Sequence, residues 1–438
     1  MPLPTAEELR ADGVALIAGS ITDLAGVTRA KYVPLSRLAA FQRSGMGVSP
    51  SWSVFCVDSG IAFTPNIGVD GDLRIRIDPA DLRLVEDGVA WAPGDLTDQQ
   101  GDAAALCTRS LLKGIESGLT AHGLTALVGA ELECTMLAPD AGHASADPWS
   151  PYGVRTSLER SAFLVDLAAA AERADLPVEQ IHTEYGHDQL EVSLAPTTPV
   201  AAADAVAAAR IVIGRAAARH GLRISFSPVP FEGEAGNGAH LHLSLADEDG
   251  PLFSGGQGPY GMRPAGESAI AGVLQTLPDL LGVYAGSVLS SARLKPGNWA
   301  GAAQCWGLEN REAAARFVAA TPGTPHGANI ELKLIDPSAN PYLATVAFVG
   351  SALRGIDQRL DLPAEVPKDP STAALPPPML QTDQQTVIKA LEASPVAAEL
   401  LTPAVIEGLV AVRRYEITTY GDRPSAETAQ ALRLAWSC

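Results

Sequence analysis

Four short segments set ionisable side chains in alternation with apolar ones or close beside them: Ala130-Glu-Leu-Glu-Cys134, Glu184-Tyr-Gly-His-Asp-Gln-Leu-Glu191, His240-Leu-His-Leu-Ser244 and Asn329-Ile-Glu-Leu-Lys333. On a strand, residues two apart share one face. Glu131 therefore looks the same way as Glu133, His240 as His242, and Glu331 as Lys333. Any one such pair is what a solvated strand face shows. Four ionisable segments, each beside Val, Leu or Ile, fit solvent less well. Burying an unpaired carboxylate costs several kcal/mol even after relaxation. Five carboxylates (Glu131, Glu133, Glu184, Glu191, Glu331) around one cavity would repel or protonate unless cations neutralise them. A divalent ion is the natural partner. Mostly oxygen donors with an imidazole suit Mg²⁺ or Mn²⁺ better than structural Zn²⁺, and such ions commonly bridge phosphates. Cations that could meet a phosphate or carboxylate follow in Arg293, Arg311 and Arg316, since the planar guanidinium suits both groups. Singly, each of these is an ordinary surface arginine.

Elements must hold these residues in place. Strand patterns cover 125–137, 189–194, 222–227, 240–245 and 329–335. Helical periods cover 104–121, 157–174, 200–221 and 341–359, and the last 55 residues read as helices. Thr5 with Glu8 forms a capping-box pattern. Between Trp52 and about Asp98 the runs are short and split by Gly, Pro and Asp. A boundary near residue 103 follows, giving a small sheet-rich domain over 1–103 and a larger one over 104–438. Residues 362–378 are Pro-rich and read as a linker or surface loop. The mixture favours α+β with antiparallel pairing over a doubly wound sheet. Neither G-x-G-x-x-G nor G-x-x-x-x-G-K-[ST] occurs.

Composition narrows the partners. The chain of 438 residues carries 31 Lys plus Arg against 50 Asp plus Glu, a net −19. That argues against nucleic acid and anionic membrane as partners. No run approaches the length of a membrane span, and no signal-peptide pattern opens the chain. The five cysteines are scattered and lack C-x-x-C spacing, which suits a reducing cytoplasm.

Taken in order, the motifs resemble the glutamine synthetase family. They are G-A-E-x-E (129–133), H-x-E…G-x-x-Q-x-E (182–191), G-x-G-x-H-x-H (236–242), R-L-x-P-G (293–297), N-R-x-x-x-x-R (310–316) and E-x-K…D-P-x-x-N-P-Y-L (331–343). The resemblance implies an α+β fold. It comprises a small N-terminal β-grasp-like domain and a large catalytic domain with a curved antiparallel sheet flanked by helices. It implies ATP and two Mg²⁺ or Mn²⁺ ions. Glu133, Glu184 and Glu191 would hold one ion; Glu131, His240 and Glu331 would hold the other. Glu179, His242 and Ser244 match positions near the nucleotide, Arg293 and Gly236 match glutamate contacts, and Arg311 and Arg316 match the pair that meets the transferring phosphoryl group. It also implies a homo-oligomer, a dodecamer of two hexameric rings with sites between subunits.

Departures from the family pattern sharpen the expectation. The D-G-S-S motif of ammonia-using members is absent, and Asp58 is the nearest candidate for its catalytic Asp. Trp299 falls where those members carry a flap glutamate. A Trp offers an apolar, cation-attracting face and no base, which disfavours bare ammonium and favours an amine carrying carbon. Lys333 stands where the family has arginine, keeping the charge but losing the bidentate fork. The Pro-rich stretch 362–378 holds no tyrosine for adenylylation. The expected activity is ATP-dependent ligation of the glutamate γ-carboxylate to an organic primary amine. The alternatives are glutamine synthetase itself and a non-catalytic structural or regulatory ring protein.

Overall fold

The computed structural model describes residues 5–324 and 327–437. Thr5 and Glu8 close the expected capping box at the first helix. Six strands build the first sheet: β1 (Leu16–Thr22), β2 (Thr28–Pro34), β3 (Met46–Val48), β4 (Leu73–Ile77), β5 (Arg83–Glu86) and β6 (Val89–Thr97). Their order is β2-β1-β6-β4-β3, with β5 on β6. β1 and β6 run parallel and the other pairs antiparallel, a β-grasp-like arrangement. Alternation along the strands divides this sheet between two cores. Ile17, Ala90 and Ala92 pack with Phe41 and Ile75 in a local core. Ala18 and Trp91, on the opposite face, join the main core of the molecule.

The second sheet has nine strands: β7 (Thr125–Leu137), β8 (Val178–Thr183), β9 (Gln189–Thr197), β10 (Arg223–Ser225), β11 (Leu241–Asp247), β12 (Gly250–Pro251), β13 (Ala303–Leu308), β14 (Ala313–Val318) and β15 (Asn329–Leu332). The order is β13-β14-β15-β11-β7-β9-β8, with β10 on β7 and β12 on β11. All pairs are antiparallel except β13 with β14. Alternation again sorts the faces. Along β7, Val128, Ala130, Leu132 and Cys134 enter the main core while Glu131 and Glu133 point away. Leu190 and Val192, Leu241 and Leu243, and Ile330 and Leu332 do the same on β9, β11 and β15. Helix Pro199–Arg219 packs on β7 and β9, helix Pro264–Tyr284 on β13 and β14, and helix Pro341–Gln358 on both helices.

Several segments depart from expectation or add to it. The helix expected over 157–174 is two helices, Val154–Glu159 and Ser161–Arg173, parted at Arg160. β8, β13, β14 and helix Pro264–Tyr284 carry no clear sequence signal. β14 opens on three alanines, poor strand formers, and β13 (Ala-Gln-Cys-Trp-Gly-Leu) shows no clean alternation. The Pro-rich stretch is a strap along the β13 edge: Val366 N–H donates to Trp306 O at 3.0 Å and Gln304 N–H to Pro378 O at 2.8 Å, covering backbone groups that an edge strand leaves open.

The D-P-S-A-N-P-Y-L motif joins the two sheets. Asn340 caps helix Pro341–Gln358, and its amide donates to Thr22 O at 3.0 Å and Asp23 O at 3.1 Å. Cys56, Cys107, Cys134 and Cys305 are buried; Cys438 lies outside the described residues. Among the described residues no helix is long and apolar enough to cross a membrane.

Candidate active site

A cavity of about 1320 Å³ opens on the polar face of the nine-stranded sheet. It is lined by Glu131, Glu133, Glu179, Glu184, Glu191, Gly236, His240, His242, Ser244, Arg293, Trp299, Arg311, Arg316 and Lys333. Strand pairing assembles it, because cross-strand partners on one face are close neighbours. Arg316 of β14 lies opposite Glu331 of β15, which lies opposite His242 of β11. Glu133 of β7 lies opposite Glu191 of β9, which lies opposite His182 of β8.

The inner half of this row is a network of carboxylates and cations. Glu131 meets His240 Nδ1 at 3.0 Å and His242 Nε2 at 3.2 Å. Glu331, 1% exposed, meets Lys333 Nζ at 3.0 Å, Arg316 Nη1 at 3.0 Å and His240 Nδ1 at 3.4 Å. Burial works to raise both carboxyls. Hydrogen bonds from the two histidines overcome it at Glu131, holding that group well below the usual carboxylate range. The charges of Lys333, His240 and His242 hold Glu331 at about 2.

The outer half has fewer cations. Glu184 accepts from Tyr152 OH at 2.7 Å and from Tyr185 N–H at 2.9 Å, and it meets His182 Nε2 at 2.9 Å. Glu133 accepts from Gly238 N–H at 2.6 Å and Gln189 Nε2 at 3.0 Å. Glu191, 6% exposed, lies 3.7 Å from His182. Burial and the charges of Glu131, Glu133 and Glu184 push its carboxyl up to about 9.

Both halves have donor sets that fit a divalent ion. Ligand atoms of Glu131, His242 and Glu331 lie within 4.8 Å of one another, as do those of His182, Glu184 and Glu191. Carboxylates with few imidazoles are the donors that Mg²⁺ and Mn²⁺ accept. Glu191 supports the fit, because an ion beside it would let this buried carboxyl ionise near neutral pH. His182 was not assigned a role from the sequence, although it sits two residues from Glu184 on one strand face. His242 belongs with the inner cluster as well as with the cavity wall.

Arg293 lines the cavity although it is almost fully buried. Its Nη2 lies 3.1 Å from His240 Nε2 and donates to Lys333 O at 3.1 Å. Glycine makes this approach possible: a Cβ at Gly238 would stand 2.4 Å from His240 Nε2, and one at Gly236 2.5 Å from Pro228 O. Arg316 also pairs with Glu309, and Arg311 is exposed on the wall. Ser244 Oγ donates to Ala328 O at 3.0 Å, and His242 Nδ1 lies 2.9 Å from Asn329 Oδ1.

Trp299 stands at the wall, 50% exposed, with a left-handed φ of 51°. Glu312 holds its loop by accepting from Trp299 N–H at 2.9 Å and Gly297 N–H at 3.2 Å. The indole meets the Tyr185 ring edge-on at 6.0 Å. Asp58 does not line this cavity. It accepts from Tyr420 OH at 3.0 Å, Tyr415 OH at 3.2 Å and Gly60 N–H at 2.9 Å, so it takes no part in the cavity of its own chain.

Comparison with known proteins agrees with this geometry. The glutamine synthetase catalytic domain family matches residues 105–431. The chain is 37% identical to a γ-glutamylpolyamine synthetase of Streptomyces coelicolor, over 93% of this chain and 90% of that one. It is 32% identical to a γ-glutamylethanolamide synthetase of the same organism, over 69% and 67%. A crystal structure of a glutamine synthase homologue superposes with a TM-score of 0.87 at 29% identity, covering 97% of this chain and 99% of that one. With its carboxylate–imidazole row on one face of the sheet and these relatives over most of its length, the chain belongs to the glutamine synthetase family.

Proposed function

We propose that this protein is an ATP-dependent ligase that joins the γ-carboxylate of glutamate to an organic primary amine through γ-glutamyl phosphate. The observation that carries the choice of amine is the aromatic edge of Trp299 and Tyr185 on an acidic cavity. Such an edge offers apolar contact and cation–π attraction to a protonated amine carrying carbon. The polyamine ligase among the relatives favours a polyamine as the first amine to try.

Mg²⁺ or Mn²⁺ would be held by Glu133, Glu184 and Glu191 with His182, and by Glu131, His240 and Glu331 with His242. When bound, the ions supply positive charge to the ATP phosphates. Glu179, His242 and Ser244, which line the cavity, would contact the nucleotide. Arg293 and the Gly236 backbone would hold glutamate, with Lys333 adding charge nearby. Its γ-carboxylate oxygen attacks the terminal phosphorus and ADP leaves. Arg311 and Arg316 would stabilise the charge on the transferring group. The amine nitrogen then attacks the acyl carbon, phosphate leaves, and the nitrogen loses a proton. Positioning and charge neutralisation are the main protein contributions.

We extend the reading to a cytoplasmic homo-oligomer, a dodecamer of two hexameric rings, divided into domains 1–103 and 104–438. Asp58, outside its own cavity, would then act in a neighbouring subunit. The test is phosphate release from ATP with Mg²⁺ and glutamate across putrescine, spermidine, ethanolamine, methylamine and ammonium. Release with an organic amine at least tenfold above ammonium is the expected result. Release greatest with ammonium would make the protein a glutamine synthetase, and silence with every amine would point to a non-catalytic ring protein.

A further inference from the structure

Beside the cavity, a second cluster converges that the ligase chemistry does not use. His143 comes from the loop after β7, and His187 and Asp188 from the turn between β8 and β9. His143 Nδ1 lies 3.1 Å from His187 Nδ1. Asp188 Oδ2 lies 3.1 Å from His187 Nδ1 and 3.5 Å from His143 Nδ1. Three ligand atoms thus form a nearly equilateral triangle.

The far side of each ring offers its Nε2 an acceptor. His143 Nε2 lies 3.2 Å from Glu234 Oε1, and His187 Nε2 lies 3.4 Å from Asp147 O. A carboxylate and a carbonyl only accept, so an Nε2 proton has a partner on each ring, and the tautomer that uses it leaves Nδ1 free to ligate. Both Nδ1 atoms then turn lone pairs toward each other and toward a carboxylate oxygen. Asp188 is fully buried; its Oδ2 also accepts from Ala144 and Ser145 N–H, and its Oδ1 faces Arg160 at 3.4 Å.

The geometry points to a transition-metal site of the zinc class at the centre of this triangle, built by His143, His187 and Asp188. A tetrahedral ion with bonds of about 2.0–2.1 Å sets its ligand atoms roughly 3.3–3.4 Å apart, close to the three edges here. Two imidazoles and one carboxylate select zinc over magnesium. The outer partners, Glu234 and the Asp147 carbonyl, are of the kind that orient ligating histidines. The imidazoles are 31% and 29% exposed, leaving the fourth position to water. With three protein ligands the site is open rather than closed, and its inferred role is to hold two segments together. It would tie the 138–149 loop, whose Trp149 Nε1 donates to Glu184 O at 2.9 Å, to the turn that carries Glu184.

The test uses the full chain, stripped with chelator and returned to excess Mg²⁺ so that the hard cavity donors are occupied. Co²⁺ is then titrated and read by its visible absorption and by metal content. One equivalent per chain with the intense band of tetrahedral cobalt is expected, displaced by Zn²⁺. His143→Ala and His187→Ala should each lose that band and that equivalent, and also lose the Zn²⁺-dependent rise in Tm. Glu234→Gln should weaken affinity about tenfold. Glu131→Gln, in the cavity, should keep the band. Absence of the band in the wild type, or its survival in both histidine variants with native circular dichroism, would show that a shared proton holds the triangle and would overturn the site.

Discussion

Glu331 and Glu191 stand on strands of one sheet: Glu191 lines the cavity, and Glu331 packs behind the lining residues Lys333, Arg316 and His240. Both are almost fully buried and both have other carboxylates nearby. Glu331 has Lys333, Arg316 and His240 within 3.4 Å, and its carboxyl is held at about 2. Glu191 has His182 at 3.7 Å and three carboxylates around it, and its carboxyl is pushed up to about 9. Burial is similar in the two places, so the distribution of fixed cations makes the difference. The inner cluster is neutralised by the chain's own side chains on β14, β15 and β11. The outer cluster must take a proton or import an ion.

The strongest way to break this contrast is to make the same substitution at both sites in the metal-free protein. Glu331→Gln leaves Lys333 and Arg316 without their shared counter-charge and should cost about 3 kcal/mol or more in urea unfolding at pH 7. The sign follows from linkage. A depressed carboxyl contributes stability that is present above its unfolded value near 4.5 and lost as pH falls toward 2. Glu191→Gln should do the opposite. A raised carboxyl makes the folded state lose stability as pH climbs from about 4.5 toward 9. At pH 8 the metal-free Glu191→Gln protein should therefore be more stable than wild type, by up to about 5 kcal/mol. Equal signs for the two variants would dissolve the contrast.

Metal binding sharpens it. Glu191→Gln should weaken Mg²⁺ or Mn²⁺ binding about 100-fold by calorimetry, since a ligand matters at least as much as the groups that orient one. In the wild type, metal uptake near pH 7.5 should release a proton, measurable as a dependence of the apparent enthalpy on buffer; no such dependence would mean that Glu191 is already ionised. A smaller effect is expected at the aromatic edge. Trp299→Ala should raise KM for the preferred amine about tenfold while changing KM for ATP little, an effect of about 1.4 kcal/mol in the range of a cation–π contact. An unchanged amine KM would reduce Trp299 to a packing residue.

Much of the site was legible because its strands alternate strictly. Glu131 with Glu133, His240 with His242 and Glu331 with Lys333 could be assigned to one face before any pairing was known; Glu131 and Glu133 share a face of β7, while His240 and Lys333 fall one residue outside β11 and β15. Register was not legible. That Glu133 opposes Glu191, and Arg316 opposes Glu331, depends on long-range pairing that no local pattern encodes. β14 was missed because its three leading alanines carry little strand signal, and β13 because its residues do not alternate cleanly. Helix Pro264–Tyr284 was missed because it is apolar on nearly every side, which erases its period. Asp58 could be singled out by type and position, but its tyrosine partners come from residues more than 350 positions away in sequence.

The central claim is that this cavity phosphorylates a carboxylate and passes the acyl group to an amine. It is tested most directly with glutamate labelled with ¹⁸O in the γ-carboxylate, in the presence of ATP, Mg²⁺ and the best amine. Mass spectrometry of the phosphate should find one ¹⁸O per turnover, and the organic product should be the γ-glutamyl amide. Phosphate released without the label would mean that water, not the γ-carboxylate, accepts the phosphoryl group, and that contradicts the ligase mechanism.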